Sequence, residues 1–243
     1  VGRKWENIKR SKGKLDQERG AVFSRIAKDL MKAAKEGGPD PEANFRLKTA
    51  IETARESNMP SDNIQRAIRR GAGLEDGARY EEFVYEGYGP GGVAIMMNIM
   101  TDNRNRTAGD VRFIFTKNGG AMGETGCVGW MFTKKGIVEI DREQTNITED
   151  DLMMVVLDAG ADDIKTADTH FEVTTAPESL EAVLRALHAA KIPVVRGETA
   201  MIPNTTVEVT EENAEKLGRM LDLLEANDDV QNVYSNAQFP DEE

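Results

Sequence analysis

The chain has 243 residues, 39% hydrophobic and 30% charged, with a formal net charge of −12; this is the composition of a soluble globular protein with room for two or three small domains. No apolar run reaches the ~20 residues of a membrane-spanning helix; no secretory leader is visible, although a chain opening on Val1 leaves a short one open. A single cysteine, Cys127, excludes an internal disulfide and fits a reducing cytoplasm.

The acidic total conceals a polarity. Residues 1–73 hold 17 Lys and Arg against 10 Asp and Glu, and the remainder holds 14 against 33. A polyanion is drawn to one end of such a molecule and repelled by the other, so it is oriented as well as attracted.

Residues 1–76 read as a basic helical domain. The first stretch sets Trp5 and Ile8 among Arg3, Lys4, Lys9, Arg10, Lys12 and Lys14, an arm with too little apolar content to fold alone. Trp5 suits either stacking on an unpaired base or anchoring the arm to the protein's own surface. A helix is expected from about Asp16 to Glu36, with Phe23, Ile26, Ala27, Leu30 and Ala34 on one face. Arg25, Lys28, Lys32 and Lys35 recur at helical spacing and should line the opposite face. Gly37-Gly38-Pro39 stops this helix. Asp40 can then cap a second helix with Pro41 at its first position. A third, short helix follows Pro60 and carries Arg66, Arg69 and Arg70. No helix-turn-helix pattern is specific enough to indicate base readout.

After a glycine-rich linker, an α+β domain is expected over residues 77–134 and 203–243. Its centre is Tyr85–Thr107, where Y-E-G-Y-G-P-G-G precedes an apolar run and T-D-N-R-N-R-T. Gly87-Tyr88-Gly89-Pro90-Gly91-Gly92 matches G-x-G-x-x-G. The dinucleotide fingerprint, however, needs those glycines to open a helix, whereas here a strand follows and Pro90 removes one N–H. A hairpin turn is the better reading. Strands are expected at Tyr80–Glu86, Val93–Met100 and Val128–Phe132, with a helix over Arg104–Asn118. Arg104 and Arg106 at that helix start suit either an anion or the domain's many carboxylates.

Residues 135–202 read as a separate βαββαβ series, suggesting a ferredoxin-like domain inserted into the central one. Thr148 and Asp151 make a capping-box-like helix start, and Gly160 a stop. Strand Thr205–Val209, helix Glu211–Glu225 and strand Val230–Tyr234 then rejoin the central domain, and Asp241-Glu242-Glu243 form a solvated tail.

Catalytic chemistry is sparse. His170 and His188 lack metal-ligand spacing, Cys127 has no local activating partner, and there is no nucleophile elbow or P-loop. No carboxylate pair stands out, so an enzyme built on Asp and Glu is the last of the readings. No metal, cofactor or small-molecule substrate is indicated.

Several motifs carry a resemblance. K-W-E-N-I-K at Lys4–Lys9, E-G-G-P-D-P-E-A-N at Glu36–Asn44 and N-M-P-S-D-N-I at Asn58–Ile64 join the two central motifs, Gly119-Gly120, Gly126 and Lys135-Gly136. Together they resemble the YebC family, bacterial proteins related to mitochondrial translational activators of cytochrome c oxidase synthesis, over essentially the whole chain. The start Gly2-Arg3-Lys4-Trp5 departs from the usual G-H-S-K-W and resembles a shorter-start branch. The resemblance implies three domains, the third inserted into the second, and a non-enzymatic regulator of gene expression. It implies either DNA-binding transcriptional control or action at the ribosome, on rRNA, that relieves stalling at sequences such as proline runs.

Overall fold

The computed structural model describes residues 19–77 and 79–240. The basic-arm residues Arg3, Lys4, Trp5, Lys9, Arg10, Lys12 and Lys14, and the acidic tail, lie outside them.

Three helices come first: α1 (Arg19–Gly37), α2 (Phe45–Glu56) and α3 (Ser61–Gly71). Leu30, Met31 and Ala34 of α1 pack on Leu47, Ile51 and Ala54 of α2 and on Ile64, Ala67 and Ile68 of α3. These are the apolar positions that the helical spacing marks. Helices α1 and α3 cross closely at Gly71, where an added Cβ would overlap the Met31 carbonyl oxygen. The start of α2 differs from expectation. Asp40 instead accepts from the Glu42 amide in a turn (3.0 Å), and the cap is Asn44, whose Oδ1 accepts from the Leu47 amide at 3.1 Å. Asn44 wins because its Nδ2 also donates to the carbonyls of Ala33 (2.8 Å) and Gly38 (2.9 Å). One buried side chain thereby closes the end of α1 and the start of α2.

The first sheet has strand order β3-β1-β2-β9. It comprises β1 (Glu81–Tyr88), β2 (Ala94–Thr101), β3 (Ala121–Met122) and β9 (Val230–Ser235). The glycine motif is the antiparallel β1–β2 turn, with Gly91 at φ 77° and Gly92 at φ 75°, angles that disfavour any side chain. Strand β2 is apolar on both faces because both are covered. Ile95, Met97 and Ile99 face helices α4 (Arg104–Lys117) and α7 (Glu211–Ala226) through Phe115, Leu217 and Met220. The alternate residues Ala94 and Met96 face Phe132, Ile137 and Ala200 of the second sheet. Each buried Ile or Met among them contributes about 1.5–3 kcal/mol, so this strand holds the two sheets together.

The second sheet has order β5-β6-β4-β7, all antiparallel. Its strands are β4 (Phe132–Asp141), β5 (Ala161–Thr166), β6 (His170–Thr175) and β7 (Arg196–Pro203). Helices α5 (Glu149–Val156) and α6 (Leu180–Ala189) lie between its strands in sequence, the order expected of a split βαβ unit. Leu152, Val156, Val183 and Leu187 pack on Val138, Ile140, Phe171 and Val173. The chain thus leaves the first sheet after β3, builds the second from β4 to β7, and returns with β9. Strand β4 runs unbroken across positions 134 and 135.

Two expected strands are not formed as read. Val128–Phe132 is a loop and a short 3-10 turn over Gly129–Met131. The buried Glu86 carboxylate accepts from the amides of Gly126 (2.5 Å), Val128 (3.1 Å) and Gly129, so these groups are turned inward and cannot pair with a strand. Thr205–Val209 shortens to β8 (Val207–Glu208), which pairs in parallel with β10 (Ala237–Gln238) alone.

Candidate nucleic-acid interface

Helix α1 does not present its basic stripe to solvent. Lys28 is 4% exposed. Its ammonium donates to the Asp228 carbonyl, lies 3.7 Å from the Asp229 carboxylate, and sits 5.7 Å from the centre of the Tyr80 ring. Burial pulls the Lys28 pKa below the ordinary lysine value, against the opposing pull of Asp229. Arg25 and Lys32 are half-buried, and only Lys35 is exposed, with Glu82 at 3.8 Å. The expected phosphate contact at Lys28 is therefore corrected. The helix is covered on two sides, by α2 and α3 on its apolar face and on its polar one by Asp228 and Asp229, just before β9, and by Gln231 of β9. Helical periodicity marks the second face as polar but cannot say that another element covers it.

Arg106 is likewise committed. Its guanidinium donates to Asp229 at 3.2 and 2.8 Å and to Asp102 at 3.0 Å, and these bonds raise its pKa further. Asp229 also accepts from the Thr107 hydroxyl at 2.7 Å. Burial pushes the Asp229 pKa up, but Arg106, Thr107 and Lys28 outweigh it, and the net shift is downward. Arg104 lies over the Phe83 ring (4.2 Å) and 3.5 Å from Glu81. Of the two roles open for these arginines, the structure displays the carboxylate pairing.

Helix α3 carries three more exposed cations. Arg66, Arg69 and Arg70 all face solvent, and a spacing of i, i+3, i+4 puts them on one side of the helix. Arg69 meets Glu75 at 2.6 Å. Arg69 and Arg70 also occupy the last turn, where positive charge complements the helix dipole.

Arg25 and Lys32, half-buried, line a cleft that sequence reasoning missed. About 330 Å³ in volume, it lies where α1 and α2 meet β2, β9, β4 and β7. Asp29 accepts from the Gln231 amide at 3.0 Å. Burial in the cleft, reinforced by Glu198, raises its pKa to about 7 despite Arg25, Lys32 and Arg196. Arg196 pairs with Glu198 and, at 3.5 Å, with Glu139. The available signal was a charged or amide residue inside an apolar strand, Glu139 in I-V-E-I and Gln231 in V-Q-N-V.

The residues weighed for catalysis are engaged otherwise. Cys127 is half-buried, and burial, then the charge of Glu86, push its thiol up, away from the nucleophilic thiolate. His188 lies 3.0 Å from Lys48 and edge-on to Phe45. His170 is buried on β6 beside the Thr169 hydroxyl, 3.3 Å away. Among the described residues no helix is long and apolar enough to cross a membrane, and no three His, Cys, Asp or Glu side chains cluster as metal ligands.

Residues 3–74 match the family described as TACO1/YebC protein N-terminal domain, and residues 80–237 match TACO1/YebC second and third domain. The chain belongs to the TACO1/YebC family. It is 66% identical over 239 residues to a protein of Symbiobacterium thermophilum named probable transcriptional regulatory protein, covering 98% of this chain and 99% of that one. A protein of the same name from Desulforamulus reducens is 56% identical, with 96% of each chain covered. The crystal structure of a conserved hypothetical protein from Aquifex aeolicus superimposes with a TM-score of 0.82 at 42% identity, covering 93% of each chain. A chain of this family therefore has a mixed α and antiparallel-β architecture, as its sequence predicts.

Proposed function

We propose that this protein is a non-enzymatic, nucleic-acid-binding regulator of gene expression acting in the cytoplasm. In this reading its N-terminal helical unit meets phosphate through Arg66, Arg69 and Arg70, joined by the arm residues Arg3 to Lys14. The observation that carries the reading is the exposed arginine face of α3 on the one basic part of an acidic chain. Three arginines on one helix side suit phosphate oxygens, while the acidic remainder turns a polyanion away from the other units. The names of its relatives support transcriptional control, with DNA as the polyanion. A second reading is supported by the size of the face. Eleven residues of α3 span about 16 Å and are backed by acidic units, which suits a local contact with folded ribosomal RNA better than a long track on a duplex.

The test titrates wild type and the Arg66→Glu, Arg69→Glu, Arg70→Glu variant against genomic promoter fragments and against ribosomes over one salt series. The variant should bind more weakly, its log–log salt slope smaller by about one for each phosphate it no longer neutralises. Unchanged affinity and slope on both polyanions would refute the reading. Retention on ribosomes without a specific DNA shift would decide for the second polyanion.

A further inference from the structure

We infer that the outer face of α5 docks an amphipathic helix of a partner protein, one whose apolar stripe is rimmed by Lys and Arg. Helix α5 buries Leu152 and Val156 against the second sheet. Its outer side carries Met154, 77% exposed, with Leu157 at 59% and Met153 at 40%. Leu157 keeps helical angles (φ −62°, ψ −49°), and its amide donates to the Met153 carbonyl at 2.9 Å, so it extends the same surface. Spacings of i, i+3 and i, i+4 make the three side chains neighbours on one stripe.

The charge around this stripe is of one sign. Asp150 stands one turn before Met154 and Asp158 one turn after it, and both are exposed. No Lys or Arg occurs between Arg142 and Lys165. The acids of the first turn, Glu149 to Asp151, complement the dipole of α5. Asp158 follows the other end, where an anion opposes that dipole, and Met154 buries little of itself in its own chain. Neither residue serves the helix that carries it, and departures of this kind concentrate at functional sites. The rim selects the occupant. It repels nucleic acid and anionic lipid, and two copies meeting through this face would bring like charges together. A cationic rim is drawn in, and a ridge of residues at these spacings packs into the groove of a second helix. Methionine side chains adapt to such a surface. The acidic inserted unit thereby holds a protein while the arginine face of α3 is left to its own partner.

The inference does not rest on nucleic-acid binding, and its test contains none. The full chain, labelled at its methionine methyl groups, is titrated by NMR at about 150 mM salt, where long-range attraction is screened. The probe is a synthetic peptide, Leu-Lys-Lys-Leu-Leu-Lys-Leu repeated twice. Its controls are a peptide of the same composition with the leucines dispersed around the helix, and one with Glu in place of Lys. The Met153 and Met154 methyl signals, assigned from Met153→Leu and Met154→Leu, should shift and saturate with the probe. A dissociation constant on the order of 100 µM suits so small a face. Met154→Gln with Leu157→Gln should weaken binding about tenfold or more, read at the Met153 methyl. Asp150→Asn with Asp158→Asn should weaken it severalfold and flatten its salt dependence. All four positions are exposed, and circular dichroism checks that each variant is folded. No shift at these two methyls, equal binding of either control peptide, or folded variants that bind as the parent does would each overturn the inference. Shifts of the same methyls on concentrating the chain alone would assign the face to a second copy, and overturn it as well.

Discussion

Asp229 is the residue whose replacement tests the junction most directly. It is 4% exposed and neutralises Lys28, whose side chain is 5% exposed. In Asp229→Asn the contributions differ sharply. Arg106 has a side chain 47% exposed, so it rehydrates and its broken pair costs about 0–1 kcal/mol. Thr107 keeps its bonds to Thr101 (2.8 Å) and Asn103 (3.1 Å). Lys28 keeps the Asp228 carbonyl but loses its nearest counter-charge. A buried ion left without its partner costs about 3–5 kcal/mol. Asp228 and Asp102 still draw on the ammonium, so the lower end, about 3 kcal/mol, is expected. The assay is urea unfolding of Asp229→Asn, Lys28→Met and the double variant. The double variant should cost less than the sum of the singles by about 1.5 kcal/mol or more. The pH dependence has a definite sign. A carboxylate held below its ordinary pKa stabilises fully above about pH 4 and loses that contribution as pH falls through the folded value. Asp229→Asn should therefore flatten the acid limb of the stability profile. A cost below about 1 kcal/mol with additive singles would show that Lys28 is not held by charge, and would refute the reasoning.

Asp29 should act in the opposite sense. Its folded pKa is about 7, above the unfolded value of about 4, so the folded state holds more protons between these limits and stability falls as pH rises through them. Asp29→Asn should remove that decline, and an unaltered thermal-midpoint profile between pH 5 and pH 8, roughly the range where such a group titrates, would count against it. Glu86→Gln replaces a carboxylate that accepts three backbone amides with a group that accepts them weakly, and a loss of about 1–3 kcal/mol is expected. Trp130 stands on this loop, its indole N–H donating to the Cys127 carbonyl at 3.1 Å, so its fluorescence in a Trp5→Phe background should shift with the variant. Gly71→Ala puts a methyl against the Met31 backbone and should cost about 1–3 kcal/mol through forced separation of α1 and α3. A neutral result in urea unfolding would mean the crossing is wider.

Local structure and the patterns within single elements were legible in the sequence. The apolar face of α1, the hairpin at Gly91-Gly92, the cap at Thr148, which accepts from the Asp151 amide at 3.2 Å, and the run of β2 follow from residue order. Periodicity and turn chemistry act within a few residues. The tertiary structure alone decided which polar faces remain wet. Lys28 and Arg25 obey the same spacing as Lys35, yet α1 is held against β9, some 200 positions away, and only Lys35 of the three is left exposed. Glu86 reads as one acid among many, but its position on β1 lets it gather the amides of residues 126–129, and an expected strand becomes a loop. The junction cleft belongs to no segment, since its walls come from α1, α2, β2, β4, β7 and β9. Burial and charge pairing between distant elements depend on how those elements dock, and periodicity in one segment carries no record of what packs against it.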